Sequence, residues 1–599
     1  MAHLLGAEAL HLQYPTKVVF DAVSLGVNEG DRIGIVGRNG DGKSSLLAML
    51  AGRLRPDSGR VTVRGGVQIG VLEQTDDLDD ADTVGHAVVG DTPEHEWAGD
   101  PRGRDVIGGL LGDLSWDAVV GTLSGGQRRR VALARLLAGD HDVLALDEPT
   151  NHLDVEAITW LAEHLKRRWS PSAGGLLVVT HDRWFLDEVC TVTWEVHDRI
   201  VEPFDGGYAA YVLQRVERDR QAATIEARRQ NLARKELAWL RRGAPARTSK
   251  PKFRIDAANA LIEDEPPPRD RLALERFAVQ RLGKDVVDIE DVDLARGDKV
   301  LLDHATWRIG PGDRIGIVGV NGAGKTSLLS LIAGTLPPQV GKVRHGRTIA
   351  MQHLTQALDE IDPEARVLPT VESIRRVTKT LDGQEITATS MLERFGFTGD
   401  RLTARLGDLS GGERRRFQLL RLLLTEPNVL LLDEPTNDLD IETLTVLEDF
   451  LDGWPGTLVV VSHDRYFLER TVDTVWALLD DGQISMLPRG VDEYLERRAA
   501  TLHVAEGLLA RGNAESVPAP TAPKAAAGSA EERAARKSLA RIDRQLQRVS
   551  AREAELNAAI LDAGQDYERL TELGAELATV AAERDVLESE WLEVADQLE

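Results

Sequence analysis

Two short strings in this chain have the spacing needed to handle a phosphate. GRNGDGKS (Gly37 to Ser44) and GVNGAGKT (Gly319 to Thr326) both set glycines ahead of a lysine and a hydroxyl residue. Glycines let the backbone curl so that successive N–H groups aim at phosphate oxygens, and a helix beginning at the end of the loop adds its positive dipole. Gly37, Asn39, Gly40 and Gly42 form the first cradle, Lys43 reaches the outer phosphates, and Ser44 and Ser45 open the helix. Gly319, Asn321, Gly322, Gly324, Lys325, Thr326 and Ser327 repeat the arrangement.

Downstream of each loop an apolar run ends in two acids, VLALDE and VLLLDE. A carboxylate at the polar end of a strand can hold Mg²⁺ through water, a role that falls to Asp147 and Asp433, with the Ser44 and Thr326 hydroxyls as direct ligands. Glu148 and Glu434, one residue further, are placed to orient or deprotonate an attacking water. The simpler reading has these acids only capping a turn enforced by Pro149 and Pro435. A third string sits between loop and acids. LSGGQRRR and LSGGERRR put Ser124, Gly125, Gly126 and Gln127, and likewise Ser410, Gly411, Gly412 and Glu413, at the start of a basic helix, a second phosphate-binding surface. One nucleotide does not need two cradles from one domain. Each serine-bearing helix start is therefore expected across an interface from the other copy's loop, Ser124 and Gly126 facing the second loop, Ser410 and Gly412 the first.

These strings need positioning elements, and the flanking sequence supplies them. DRIGIVG precedes both phosphate loops, while SLLAML and SLLSLI follow with helical apolar spacing, giving strand, loop and helix in order. The motifs recur at near-constant offsets of 282 to 286 residues, so the chain is a tandem duplication. Its 599 residues imply several domains, and 42% hydrophobic with 28% charged residues is the balance of a globular protein. A single cysteine, Cys190, excludes a disulfide framework and fits a reducing cytoplasm. The longest apolar runs fall far short of the ~20 residues that cross a bilayer, so no membrane contact is expected. The net charge of −26 opposes non-specific nucleic-acid binding unless basic residues are concentrated locally.

The ordered series of loop, LSGGQ or LSGGE, and DEPTN resembles the tandem ATP-binding-cassette (ABC) ATPases over nearly all of residues 1–500. The resemblance implies a monomer whose halves form an intramolecular pseudo-dimer clasping two ATP molecules, with ATP binding joining the halves and hydrolysis releasing them. It also implies switch-histidine roles for His181 and His463 at the γ-phosphate, and interface coupling through Asp154 and Asp440. Tyr14 matches the residue that stacks on adenine, and Gln74 the glutamine that senses Mg²⁺ and γ-phosphate. Aligning Asp21 with Asp303 puts Arg296 opposite Tyr14. Aligning Gly66 with Gly346 puts Leu354 opposite Gln74, with Gln352 and Gln356 to either side, leaving the second sensor unassigned.

The segment between the halves differs from the rest in composition. Val212 to Arg254 holds 13 basic and four acidic residues inside an acidic protein, an electrostatic footprint for a polyanion. ARKELAWLRRGAPARTSKPKFR reads as a helix, a Gly/Pro turn and a second helix. This segment resembles the linker of ABC-F proteins, in particular the Uup-type branch, which implies contact with ribosomal RNA and P-site tRNA through Arg241, Arg242, Arg247, Lys250, Lys252 and Arg254. Trp239 would pack at the hairpin or stack on a base. A solvated helical spacer is the bland alternative. The long arm insertion of some ABC-F members is not expected, since only about 50 residues separate Gln74 from Leu123.

After Ala514 a Pro/Ala-rich run reads as a flexible linker, and heptad-like apolar spacing from Leu539 to Leu598, broken at Gly564 to Asp566, reads as an antiparallel helical hairpin. In the Uup-type branch that hairpin is associated with DNA. Residues 531–599 carry 9 basic and 17 acidic residues here, which favours a protein- or ribosome-contacting or purely structural module. The expected architecture is α/β: an ABC ATPase domain over 1–211, a basic helical linker over 212–282, a second ABC ATPase domain over 283–500, a flexible stretch over 501–530 and a coiled-coil hairpin over 531–599. The expected function is ATP hydrolysis, with ATP and Mg²⁺, directed to the ribosome in translation or assembly. A DNA-processing ATPase, an antibiotic-resistance ABC-F protein and a soluble exporter subunit remain as alternatives.

Overall fold

The computed structural model describes residues 2–218 except 16 and 75, residue 220, residues 283–512 except 284, 298, 356–361, 376, 380–384 and 438, and residue 552. Trp239, Arg241, Arg242, Arg247, Lys250, Lys252 and Arg254, the Pro/Ala-rich run and, but for Arg552, the expected C-terminal hairpin lie outside the described residues. The chain divides into two compact units at His503 and Val504, and both duplicated halves lie in the first.

Within the first half, Val143–Asp147 and Gly175–Val179 are buried at every position and Arg32–Gly37 at all but the last. That is the signature of parallel strands covered on both faces, where alternation of apolar and polar residues is lost. They sit in a six-stranded sheet ordered Ile69–Leu72, Val143–Asp147, Gly175–Val179, Arg32–Gly37, Val192–His197, Ile200–Asp205. Only the last pairing is antiparallel. A smaller antiparallel sheet places His3–Tyr14 between Lys17–Asn28 and Ser58–Val63. The small sheet and the helix Lys43–Leu50 share one apolar core with one face of the large sheet, and helices Gly125–Ala138 and Val155–Arg168 cover the other face. The second half repeats the order with Met351–Leu354, Val429–Asp433, Thr457–Val461, Arg314–Gly319, Thr474–Leu478 and Ile484–Leu487.

The strand register corrects one sequence alignment. Leu72 pairs with Leu146, and Leu354 pairs with Leu432, at equivalent places in the two sheets. Leu354 is therefore the counterpart of Leu72 rather than of Gln74. Counting two residues on, Gln74 corresponds to Gln356, which itself lies outside the described residues. The misalignment arose in the connection before the strand, which from Gly346 to Met351 is two residues longer than from Gly66 to Ile69.

The halves meet reciprocally. Val155 belongs to the apolar core of the second half and Ile441 to that of the first, each opening a helix capped by the preceding aspartate. Burying one such side chain is worth about 1.5–3 kcal/mol. Among the described residues no helix is long and apolar enough to cross a membrane.

Candidate functional site

Both phosphate loops have the same backbone solution. Gly42 and Gly324 stand at the helix N-cap with φ of 100° and 102°, and a Cβ at Gly42 would strike the Val19 side chain. Only glycine meets both demands without strain. At Gly40 and Gly322 a Cβ would meet open space, so here the loop leaves room for a ligand to approach the backbone. Lys43 and Lys325 are buried and fold back on their own loops, Lys43 Nζ donating to Gly37 O at 2.9 Å and Lys325 Nζ to Gly319 O at 2.7 Å. Burial lowers both ammonium pKa values, opposed chiefly by the charges of Glu148 and Glu434.

The strand ends carry the acids. Asp147, Asp433 and Glu434 are buried. Glu148 and Glu434 lie in left-handed backbone at φ of 49° and 46°, a conformation costly for a residue with a Cβ and repeated in both halves. It turns each carboxylate toward a histidine from the adjacent strand end, His181 Nε2 lying 3.1 Å from Glu148 Oε1 and His463 Nε2 3.2 Å from Glu434 Oε1. Burial pushes His181 down to about 3, with Lys43 adding and Asp440 opposing, and takes His463 well below its ordinary value. Burial raises Glu434 to about 8, opposed by Lys325 and assisted by Asp433. The imidazoles are thus neutral, and the buried Nδ1 atoms of both have no hydrogen-bond partner among the described residues.

The carboxylates fit a divalent cation. Asp147 Oδ1 and both carboxylate oxygens of Asp433 receive no hydrogen bond among the described residues. Burial raises both carboxyls, and the principal opposing influences are the Ser44 and Thr326 hydroxyls, the pairs of oxygen donors a hard cation prefers. Gln74 is exposed, two residues beyond strand Ile69–Leu72.

Each serine-bearing string forms a capping box: Ser124 Oγ accepts from Gln127 N at 3.3 Å while Gln127 Oε1 accepts from Ser124 N at 3.0 Å, and Ser410 and Glu413 do the same. A cavity of about 700 Å³ brings Ser124, Gly126 and Gln127 of the first half together with Asn321, Gly322, Gly324, Lys325, Thr326 and Ser327 of the second. Arg296, Glu434, His463 and His181 also line it. Gly125 and Gly411 point toward open space. Across the interface Asp154 Oδ2 accepts from Asn321 N at 3.1 Å and Asp440 Oδ2 from Asn39 N at 2.9 Å. Ser410 and Gly412 do not line this cavity, and the described contact at the first loop from this side is that of Asp440 with Asn39. Tyr14 is half exposed beside the first loop helix, its hydroxyl 3.4 Å from Ser45 Oγ. Tyr14 and Arg296 occupy matching hairpin ends, paired with Lys17 and Lys299, and both lysines donate to loop carbonyls, Gly40 O at 2.9 Å and Gly322 O at 3.0 Å.

Two positioning arginines escaped the sequence reading. Arg415 donates to Thr355 O at 2.6 Å, Asp433 O at 2.8 Å and Glu434 O at 3.0 Å, and Arg129 likewise bridges Glu73 O and Asp147 O. They tie the residue just past the edge strand, Glu73 or Thr355, to the acid-bearing turn of the same half. The RRR run after each LSGG was the available signal, but its backbone partners lie more than 15 residues away and carry no sequence mark.

A family profile described as ABC transporter matches residues 20–151 and 302–437. The chain is 37% identical to the ABC transporter ATP-binding protein YfmR of Bacillus subtilis, over 100% of this chain and 99% of that one. It is 35% identical to the energy-dependent translational throttle protein EttA of Mycobacterium tuberculosis over 78% of this chain and 90% of the relative, and 34% identical to EttA of Escherichia coli K12 over 82% and 94%. Among solved structures it shares its fold with the RNase-L inhibitor, at a TM-score of 0.58 and 22% identity over 82% of this chain and 93% of that one. Two nucleotide-binding sheets, reciprocal loop contacts and these relatives lead to one conclusion: the chain belongs to the ABC-F family of tandem ATP-binding-cassette ATPases.

Proposed function

We propose that this protein is a ribosome-directed ATPase acting in translation, with two ATP molecules clasped between its halves and released by hydrolysis. The observation that carries the reading is the cavity lined by Ser124, Gly126 and Gln127 from one half and by Lys325 and Thr326 from the other. Closing such a site needs both halves, so the ligand that fills it joins them.

Lys43 and Lys325 leave their loop carbonyls to meet the outer phosphates, and Ser124 and Ser410 meet the γ-phosphate from the opposite half. Glu148 and Glu434 orient the attacking water, held in place by their strained backbone, while neutral His181 and His463 fix the carboxylate and face the γ-phosphate. Ser44, Asp147 and Gln74 would hold Mg²⁺ in the first site and Thr326 and Asp433 in the second; when bound, the ion neutralises charge on the β- and γ-oxygens. Tyr14 and Arg296 stack on the base. The relatives named translational throttle proteins support a ribosomal target, and the +9 segment from Val212 to Arg254 supports RNA as the surface met, through Arg241, Arg242, Arg247, Lys250, Lys252 and Arg254.

The test is Glu148→Gln with Glu434→Gln. Turnover should fall by about 10²–10⁴-fold, and the protein should co-sediment with ribosomes in ATP in a salt-sensitive manner. Parental turnover would remove the catalytic roles. Intact trapping without ribosome retention, with binding to branched DNA instead, would transfer the activity to another nucleic acid.

A further inference from the structure

The aspartates that touch the opposite phosphate loops are each followed, two residues on, by a glutamate that touches something else. Glu442 Oε1 accepts from Arg215 Nη2 at 2.6 Å. Its other oxygen pairs with Arg38, the second residue of the first phosphate loop. Arg215 lies on the helix spanning 208–218, which opens the segment between the halves. That helix is bolted to the first half as well: Tyr211 Oη donates to the buried Glu195 at 2.9 Å, Arg215 Nε lies 3.2 Å from it, and Arg218 bridges Glu195 and Glu202. One side chain of the second half thus touches both the first phosphate loop and the root of the linker.

The duplication supplies a built-in comparison. Glu156, the counterpart of Glu442, accepts from Tyr494 Oη at 2.7 Å and from Arg498 Nε at 2.7 Å, on the helix Val491–Gly512 that leaves the second half. Tyr211 with Arg215 and Tyr494 with Arg498 are the same Tyr-x-x-x-Arg pattern, one helical turn apart and so on one face. At the loop position the symmetry breaks. The counterpart of Arg38 is Val320, which has no charge to offer Glu156. On the side that carries the basic linker one glutamate touches both loop and helix; on the other, charges reach the loop by a longer route around Glu156, from Arg498 to Asp480 at 3.9 Å, Asp480 to Lys299 at 2.9 Å and Lys299 to Gly322 O at 3.0 Å.

We infer that Glu442 is a positioning residue that joins the first phosphate loop to the helix opening the interdomain segment, so that closure of the halves fixes the direction in which that segment leaves. This rests on the reading that ATP closes the halves and that the linker carries the response outward. While the halves are apart Arg215 keeps Glu195 and the Tyr211 hydroxyl, both of its own half; when they meet, Glu442 gives it an anchor from the other half, and Arg38 sets that anchor against the loop. Glu156 performs the equivalent service for the other departing helix without itself touching a phosphate loop.

Two spin-label pairs on the full chain test this, in the Glu148→Gln/Glu434→Gln background with Cys190→Ala. Leu213→Cys with Val340→Cys, both exposed positions, reports the departing helix. Asp140→Cys with Val340→Cys reports the halves. With ATP, both pairs should give narrow distances. Adding Glu442→Gln should leave the pair between the halves narrow and cost the Leu213 pair its narrow component, whereas Glu156→Gln should leave both narrow. Ribosome binding of Glu442→Gln should weaken about two- to five-fold, the range for one partly exposed ion pair. An unchanged Leu213 pair, equal broadening of both pairs, or the same effect from Glu156→Gln would overturn the inference. A parent in which ATP narrows neither pair would overturn the sandwich together with the joint; the distance measurement uses no ribosome, so its result stands apart from that assay.

Discussion

Oδ2 of Asp440 accepts a hydrogen bond from the backbone N–H of Asn39 at 2.9 Å, while Oδ1 of the same side chain caps its own helix at Thr443 N, also at 2.9 Å. Asp154 makes the mirror pair with Asn321 N and Ala157 N. A single carboxylate therefore starts a helix in one half and holds the phosphate loop of the other. Asparagine in its place keeps an oxygen for the cap but turns an NH₂ toward the loop N–H. Asp154→Asn with Asp440→Asn should change unfolding stability by under about 1 kcal/mol. ATP turnover should drop by about tenfold or more, the scale of a lost hydrogen bond to a charged group. Urea melts and steady-state ATPase assays on the same preparations check both.

The interface is less symmetric in its buried charges. Arg183 meets Glu448, fully buried in the second half, at 3.0 Å and Asp464 at 3.2 Å, but the position matching Glu448 in the first half is Ala162. Arg465, the counterpart of Arg183, lies instead 3.8 Å over the Trp184 ring and donates to Thr159. Glu448→Ala takes two charge-assisted hydrogen bonds from the buried Arg183 guanidinium, which keeps Asp464, and should cost about 3 kcal/mol. Arg465→Ala, which removes a cation–π contact, should cost about 1–2 kcal/mol. Denaturant titration of the two variants distinguishes them.

Asp182 and Asp464 are like charges at the same interface. Burial, then repulsion from Asp464, raises the Asp182 carboxyl from 3.8 to about 7, opposed by the Phe185 N–H. The folded chain binds the extra proton between those values, so this contribution to stability is complete below about pH 4 and is lost as pH rises through about 7. Stability should fall between about pH 4 and pH 7 and level off above it, and Asp182→Asn, which keeps the cap on Phe185, should flatten that fall. Melting temperatures of parent and variant across this range give the comparison.

The corrected register makes Gln356 the counterpart of Gln74, and so the residue to test for the second sensor role. In a Glu148→Gln background, where the second site supplies the turnover, Gln356→Ala should slow hydrolysis roughly tenfold, the scale of one hydrogen bond of about 1.4 kcal/mol. Gln352→Ala, on strand Met351–Leu354, should not. A larger effect from Gln352→Ala would reverse the assignment.

Much of this site was legible before any fold was known, because its motifs are local. A phosphate loop needs glycines within eight residues of its lysine, and the strand before it and helix after it carry their own apolar periods. Duplication added a second copy of each motif, so Lys43, Asp147, Glu148 and His181 each stood beside a counterpart. What local spacing could not give was register across a loop of changed length, and there Leu354 was set opposite Gln74 until strand pairing moved the match to Gln356. Nor could it reveal partners contributed by distant segments, such as the backbone carbonyls held by Arg129 and Arg415.

The sequence by itself determined two nucleotide-binding halves, the residues of each phosphate and acid motif, and a basic segment between them, since all of these follow from residue types a few positions apart. The tertiary structure alone decided which half completes which site, that Asp440 reaches Asn39, and that Glu442 meets Arg38 and Arg215. Those contacts join positions more than 200 residues apart, and it is the packing of the halves, with Val155 and Ile441 each in the other half's core, that brings them within bonding distance.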